Sequence, residues 1–146
     1  MRKFRFSLDA ALRLRRVELR SAETKLQELI AQEQRVRRSL DGITFERREA
    51  STYIQQNPTD VPALRALPSY FIGLEWRRTN LARSLDAIVA SIRQQRARVA
   101  ELEQSVKLVD ELRNRRLAEW QKEADREIEA VAQECWLATH SRIRKI

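Results

Sequence analysis

The three prolines of this chain all lie between positions 58 and 68. Proline lacks an N–H, is excluded from helix interiors and disfavours helix at the residue before it. The sequence therefore predicts a helix of about residues 7–56, a proline-containing corner of 57–68 and a second helix of about 69–138. Ser69 is the predicted N-cap of the second helix, and the corner has room for one short helical turn.

The composition agrees with long helices in a single domain. The 146 residues include only 2 glycines, 34% are charged and 6% are aromatic, which is typical of a long helix or a coiled coil. A hydrophobic fraction of 42% is too high for a disordered chain. The apolar side chains are therefore expected to follow a seam along each helix.

A heptad pattern runs through the first helix. Alternating steps of four and three residues from Leu8 give fourteen positions, of which eleven are apolar. Gly42 lies within this pattern, and we expect the helix to continue through it at a cost of about 1 kcal/mol relative to alanine. The seam positions are Leu8, Leu12, Arg15, Leu19, Ala22, Leu26, Leu29, Glu33, Val36, Leu40, Ile43, Arg47, Ala50 and Ile54.

The second helix repeats the heptads from Phe71 to Val109, and after Arg113 the spacing slips as in a stutter. A first helix of about 75 Å, folded back at the corner, brings Leu8 close to Leu117. Some 20 helical residues from Leu117 onward then overhang by roughly 30 Å. Because the overhang keeps large apolar residues, it is predicted to bind a partner protein, with self-association as the rival interpretation. The fold prediction is an all-α, antiparallel two-helix coiled-coil hairpin with an overhanging C-terminal helix.

Charge is concentrated at the two termini. Residues 1–20 carry a net charge of +5 and residues 139–146 a net charge of +3, which together equal the total of +8. A neutral shaft with basic ends favours an acidic protein surface over a nucleic acid bound lengthwise. No apolar run approaches the roughly 18 residues of a membrane span, and a single cysteine suits a reducing compartment, so the prediction is a cytoplasmic protein.

Catalysis is not predicted. The chain has one histidine and one cysteine, five positions apart, and its two glycines are too few for a phosphate-binding loop. A two-helix hairpin also lacks the concave site that acid–base chemistry needs. We therefore expect no catalytic residue, cofactor, metal or small-molecule substrate, and a monomer when the chain is alone. An arginine-driven coiled-coil nucleic-acid binder and a plain structural dimer remain alternatives.

The segment Phe4-Arg5-Phe6-Ser7-Leu8-Asp9, followed by Leu12, Leu14, Arg15 and Glu18, resembles the opening of the FliJ family. The stretch from Leu108 to Arg116, followed by Leu117, Trp120 and Glu123, is similar to the C-terminal helix of that family. FliJ proteins belong to the bacterial flagellar type III export apparatus. A related stalk of a virulence-type secretion system is the alternative within this resemblance.

The resemblance implies an antiparallel coiled coil like the central stalk of rotary ATPases. Such a stalk would insert into the hexameric export ATPase, promote its assembly or activity, contact the membrane export-gate protein FlhA and help to cycle export chaperones, at the inner membrane. The implied ATPase-ring residues are Phe4, Phe6, Arg13, Arg16, Leu117, Trp120, Ile128, Val131 and Trp136. The implied gate residues are Ile43, Tyr70 and Leu74, with Phe45 and Tyr53 in place of tyrosines that the family carries where this chain has Glu46 and Ala50.

Overall fold

The computed structural model describes residues 3–144. Helix α1 covers Asp9–Gln56, helix α2 covers Val61–Ile143, and the described residues contain no strand. The prediction of an all-α hairpin of two antiparallel helices is confirmed. The chain divides into two compact units, which we call the corner unit (residues 20–100) and the terminal unit (residues 1–19 with 101–146).

In the corner unit, α1 and α2 pack along the predicted heptad seam. The most buried side chains are apolar and lie at heptad positions of both helices: Ala22, Ile43, Leu74, Ile92 and Val99, each between 3% and 8% exposed. Gln95, a polar seam residue, donates from Nε2 to the backbone oxygen of Ala22 at 2.9 Å. The small side chain of Ala22 leaves room for this bond, which satisfies an amide that would otherwise be partly buried without a partner.

The corner is shorter than predicted. Helix α2 begins at Val61, eight residues before the expected start, so only residues 57–60 separate the two helices. Asp60 caps α2, because its Oδ1 accepts from the backbone N–H of Ala63 at 3.2 Å. Pro62 lies in the first turn, where helix N–H groups have no intrahelical acceptor and a proline is tolerated.

Pro68 lies inside α2, contrary to the predicted corner of 57–68 and to the predicted cap at Ser69. Proline cannot donate to the carbonyl four residues earlier, which here belongs to Leu64. Both residues are exposed, so water can hydrogen-bond to the carbonyl that Pro68 leaves without its helical donor. The Asp60 cap and the packing of α2 from Ala63 onward outweigh the helix-breaking tendency of this proline.

The cap carries a pH dependence. A hydrogen bond from Tyr53 (Oη to Asp60 Oδ2, 2.7 Å), followed by the bond from Ala63, lowers the pKa of Asp60 below its ordinary value of 3.8. A carboxylate with a depressed folded-state pKa stabilises the fold above its unfolded pKa, and this contribution is lost as the pH falls through the folded pKa. Between pH 7 and pH 3, Asp60→Asn is expected to lose less thermal stability than the wild type. Circular dichroism melts at both pH values test this, and equal losses would contradict it.

Gly42 is a second position where stability can be predicted. The prediction that α1 continues through this glycine is confirmed, and a Cβ added there meets nothing within 4 Å. Gly42→Ala is therefore expected to raise the free energy of unfolding by about 1 kcal/mol, because alanine loses less backbone entropy in a helix. Urea denaturation followed at 222 nm measures this. Gly73→Ala, which also introduces a Cβ into open space, should give a gain of similar size.

In the terminal unit, α1 and α2 also pack antiparallel around apolar residues. Leu12 and Leu102 are 1% and 3% exposed. Two ion pairs cross between the helices on this unit, Arg16 with Asp110 at 3.2 Å and Arg113 with Asp9 at 4.0 Å. These pairs are substantially exposed, so each is expected to add at most about 1 kcal/mol, and the apolar contacts dominate the packing.

Residues 3–8 precede α1 and lie against α2 as a non-helical strap. Phe4 and Phe6 are half-buried while Lys3, Arg5 and Ser7 are exposed, which is the alternation of an extended segment. The rings of Phe4 and Trp120 have centroids 6.0 Å apart and an interplanar angle of 55°. An extended residue spans about 3.3 Å and a helical residue about 1.5 Å, so this short strap covers more than one turn of α2.

Because the strap covers part of α2, the unpaired part of this helix begins later than predicted. The unpaired part of α2 was predicted to begin at Leu117, but Leu117 and Trp120 are half-buried and Ala124 is 8% exposed. Every described residue from Asp125 to Arg144 is exposed. We call residues 125–144 the free segment. It is helical to Ile143, five residues beyond the predicted end, and spans roughly 28 Å.

Candidate protein-binding sites

The free segment exposes large apolar side chains on a well-formed helix. Five of them are between 53% and 64% exposed: Ile128, Val131, Trp136, Leu137 and Ile143. Trp136 stacks on His140 with ring centroids 4.1 Å apart, which orders the indole but leaves most of it in contact with water. A concentration of exposed apolar surface of this kind makes the free segment a candidate binding site.

These side chains point in several directions around the helix. At about 100° per residue, Val131 lies about 60° to one side of Ile128 and Trp136 about 80° to the other side. Leu137 lies on the side of the helix opposite to Ile128. A seam for one partner helix is narrower than this. The large apolar side chains cover about 240° of arc, and Glu127 and Glu134 lie on the remaining face. An apolar surface this wide fits a partner that encloses most of the helix.

The free segment is also poor in charge over its central part. Residues 130–141 contain one ionised side chain, Glu134, in a chain that is 34% charged overall. Asp125, Glu127 and Glu129 precede this stretch, and Arg142 and Arg144 follow it. A largely uncharged stretch costs little to desolvate, whereas each buried unpaired charge costs several kcal/mol. The sequence offered this signal, which heptad reasoning alone did not use.

The predicted ATPase-ring residues fall into three groups in the structure. Ile128, Val131 and Trp136 are exposed and lie on the free segment. Arg13 and Arg16 are exposed on α1, each with an acidic neighbour: Asp9 at 3.8 Å and Asp110 at 3.2 Å. The third group is half-buried where the strap meets α2 and consists of Phe4, Phe6, Leu117 and Trp120.

Two of the predicted gate residues lie in the interhelical core. Ile43 and Leu74 are each 3% exposed. A partner that binds the folded chain cannot reach them, so their assignment to a binding surface is corrected: they hold the two helices together. Both positions belong to the heptad seams, and that periodicity was the signal for a core role.

Tyr53 and Tyr70 frame a shallow groove on one edge of the hairpin. The groove has a volume of about 260 Å³, and its other lining residues are apolar: Ala50, Ile54, Ala63, Ala66 and Leu67. Tyr53 donates to Asp60 at 2.7 Å and Tyr70 to Glu46 Oε2 at 3.3 Å. The hydrogen bond to Asp60 raises the pKa of Tyr53, and partial desolvation, together with the Glu46 carboxylate, raises that of Tyr70.

The other aromatic residues near the corner do not join this groove. Phe71 packs under the guanidinium of Arg47, whose Cζ is 5.3 Å from the ring centroid. Phe45 and Trp76, which are 61% and 68% exposed, project from the outer faces of α1 and α2 respectively. Ile72, which is 71% exposed one turn before Trp76, was not predicted from the sequence. An i, i+4 pair of large apolar residues outside the heptad seam was the available signal.

Among residues 3–144, no group of three or more His, Cys, Asp or Glu side chains is arranged to hold a metal ion. Over the same described residues, neither helix has a stretch long and apolar enough to cross a membrane. Cys135 is a free, exposed thiol on the free segment.

Comparison with known proteins adds no relative: the chain matches no family model, no curated protein and no solved structure.

Proposed function

We propose that this chain is a FliJ-like stalk of the flagellar type III protein export apparatus. The free segment inserts into the ring of the export ATPase and promotes its assembly or activity. Exposed residues of the corner unit contact the export-gate protein FlhA, and export chaperones are further partners. The protein then works in the cytoplasm, bound peripherally at the inner membrane.

The observation that carries this proposal is the free segment itself. Its large apolar side chains cover about two thirds of its circumference, its central twelve residues hold one ionised group, and all of its described residues are exposed. A ring of ATPase subunits supplies an enclosing surface of the kind that such a helix needs. The N-terminal segment and residues 108–123 resemble the FliJ family, and this resemblance is the reason for proposing the export ATPase as that ring.

A pull-down with the export ATPase tests the ring contact. The full chain is compared with a chain that ends at Ala124, the last buried residue along α2. We expect the shortened chain to lose capture and stimulation of ATP hydrolysis, while circular dichroism shows that its remaining helices still melt cooperatively. Equal capture of both chains would contradict the proposal.

A full-length variant separates loss of contact from loss of length. Ile128→Glu combined with Val131→Glu places two charges on the free segment, and we expect it to abolish capture because a buried unpaired charge costs several kcal/mol. The matched control is Glu127→Gln combined with Glu129→Gln, which alters neighbouring exposed positions without adding charge. Loss of capture by the control alone would show that acidity, and not apolar burial, drives binding.

The gate contact is proposed to use Phe45, Tyr53 and Tyr70, the three predicted gate residues that are exposed. Tyr53→Ala combined with Tyr70→Ala is expected to weaken binding to the cytoplasmic part of FlhA by tenfold or more, because aromatic anchors dominate interface energetics. ATPase capture by the same variant should be unchanged. An unchanged affinity for FlhA would show that the groove does not take part in binding the gate protein.

A further inference from the structure

Four residues form a straight stripe on the outer face of α2 in the corner unit. Arg65, Ile72, Trp76 and Arg83 are separated by seven, four and seven positions. At about 100° per residue, they fall within about 40° of arc, on the side of α2 that faces away from α1. Ile72 and Trp76 are 71% and 68% exposed, and both arginines are exposed. We call this set the outer stripe.

The charge around the outer stripe is mainly positive. Between positions 61 and 86 the acidic residues are Glu75 and Asp86, of which Asp86 lies one turn after Arg83. Glu75 pairs with Arg78 (Nε to Oε2, 3.0 Å) and Arg47 (3.9 Å). The hydrogen bond from Arg78 lowers the pKa of Glu75, so this carboxylate is ionised and already paired with arginine. Arg65 and Arg83 have no ion-pair partner among the residues that the structure describes. Their positive charge is therefore available to an external anion.

The outer face of α1 in the same unit differs. Phe45 is as exposed as Trp76, but Asp41 and Glu49 lie four residues before and after it, on the same face. Arg38 and Arg48 also flank Phe45, so the charges on this face of α1 offset each other and give an anionic surface no net attraction. Exposed aromatic residues and arginines without an ion-pair partner occur on both helices, but among the described residues only α2 has more of these arginines than unpaired carboxylates beside its exposed aromatic residue.

From this arrangement we infer that the outer stripe docks on an anionic lipid surface. Tryptophan prefers the boundary between lipid headgroups and acyl chains, since its ring is apolar and its N–H is polar. Ile72 adds apolar area beside it, one helical turn away. Arg65 and Arg83, at the two ends of the stripe, extend toward lipid phosphates, and a basic residue near an anionic membrane strengthens binding. Lipid binding by this stripe does not depend on the export role proposed above.

Vesicle sedimentation with the full chain tests the inference. We expect more protein to pellet with vesicles of 30% phosphatidylglycerol in phosphatidylcholine than with phosphatidylcholine alone, and less as salt is raised. Arg65→Gln combined with Arg83→Gln should weaken binding about thirtyfold, from the usual contribution of a basic residue at an anionic surface. Ile72→Ala combined with Trp76→Ala should weaken it by a similar factor.

Matched controls lie on α1. Phe45→Ala and the pair Arg38→Gln with Arg48→Gln alter exposed residues of the same types and should leave sedimentation unchanged. A chain with Trp120→Phe and Trp136→Phe keeps Trp76 as its sole tryptophan, and its emission should shift to the blue with anionic vesicles. No preference for anionic vesicles overturns the inference. An unshifted Trp76 with sedimentation intact also overturns it, because binding would then occur elsewhere, as through the free segment.

Discussion

Replacing Leu12 with alanine is expected to lower the free energy of unfolding by about 3 kcal/mol. Leu12 is 1% exposed, the lowest value among the core residues of the described chain. Truncation removes the transfer free energy of its methyl groups and leaves a cavity that two long helices cannot close without bending. The melting temperature should fall by roughly 10 °C, measured by circular dichroism or calorimetry.

Leu14 provides the matched control for this prediction. It is the same residue type on the same helix two positions away, and it is 58% exposed. Leu14→Ala should change the free energy of unfolding by less than about 0.5 kcal/mol, since it removes little buried area. If both variants lost similar stability, the heptad packing described for the terminal unit would be wrong.

Replacing Trp136 with alanine is expected to weaken binding to the export ATPase by 30-fold or more, a loss of at least about 2 kcal/mol. Trp136 is 60% exposed and lies in the uncharged part of the free segment. Fully burying an aromatic side chain of this size makes it an anchor of the interface. Titration calorimetry with the purified ATPase measures the change.

The stability of the Trp136→Ala chain should differ from that of the wild type by less than about 0.5 kcal/mol, because Trp136 is 60% exposed. Trp76→Ala, a truncation of a similarly exposed tryptophan in the other unit, should leave ATPase affinity unchanged. If the two tryptophan variants weakened binding equally, the free segment would not be the specific contact.

The heptad pattern predicted most of the fold because burial along two long helices depends on spacing alone. Leu12, Ala22 and Ile43 occur in the predicted seam of α1 and are among the most buried residues. Gln95, a polar member of the α2 seam, is tolerated between the helices because its side chain donates a hydrogen bond to the backbone oxygen of Ala22. Such periodicity needs no knowledge of distant contacts, so one sequence is sufficient.

The corner was predicted less well because local preferences competed there. Pro68 favoured a break, whereas the Asp60 cap and the packing of the following residues favoured a helix. Proline costs about 3 kcal/mol in a helix interior, which packing over several turns can exceed. The identity of the cap was also ambiguous, since both Asp60 and Ser69 are suitable residue types.

The limits of the free segment could not be predicted from helix length alone. Phe4 and Phe6 precede the helical pattern, and a sequence does not show that an extended strap lies along another helix. Its reach placed Trp120 against Phe4 and moved the unpaired part of α2 to Asp125. The exposure of Ile128, Val131 and Trp136 was predicted because the first helix, by its length, ends well before them.

The exposed apolar side chains at the end of α2 make the lifetime of this protein depend on how much of it a cell produces. A copy without a bound partner exposes an apolar helix to chaperones, proteases and other copies. Exposed apolar surface of this kind promotes aggregation. If the proposed ATPase covers this segment, production of the chain in excess of that partner is expected to shorten the lifetime of the surplus. A cell gains by matching the synthesis of the two proteins.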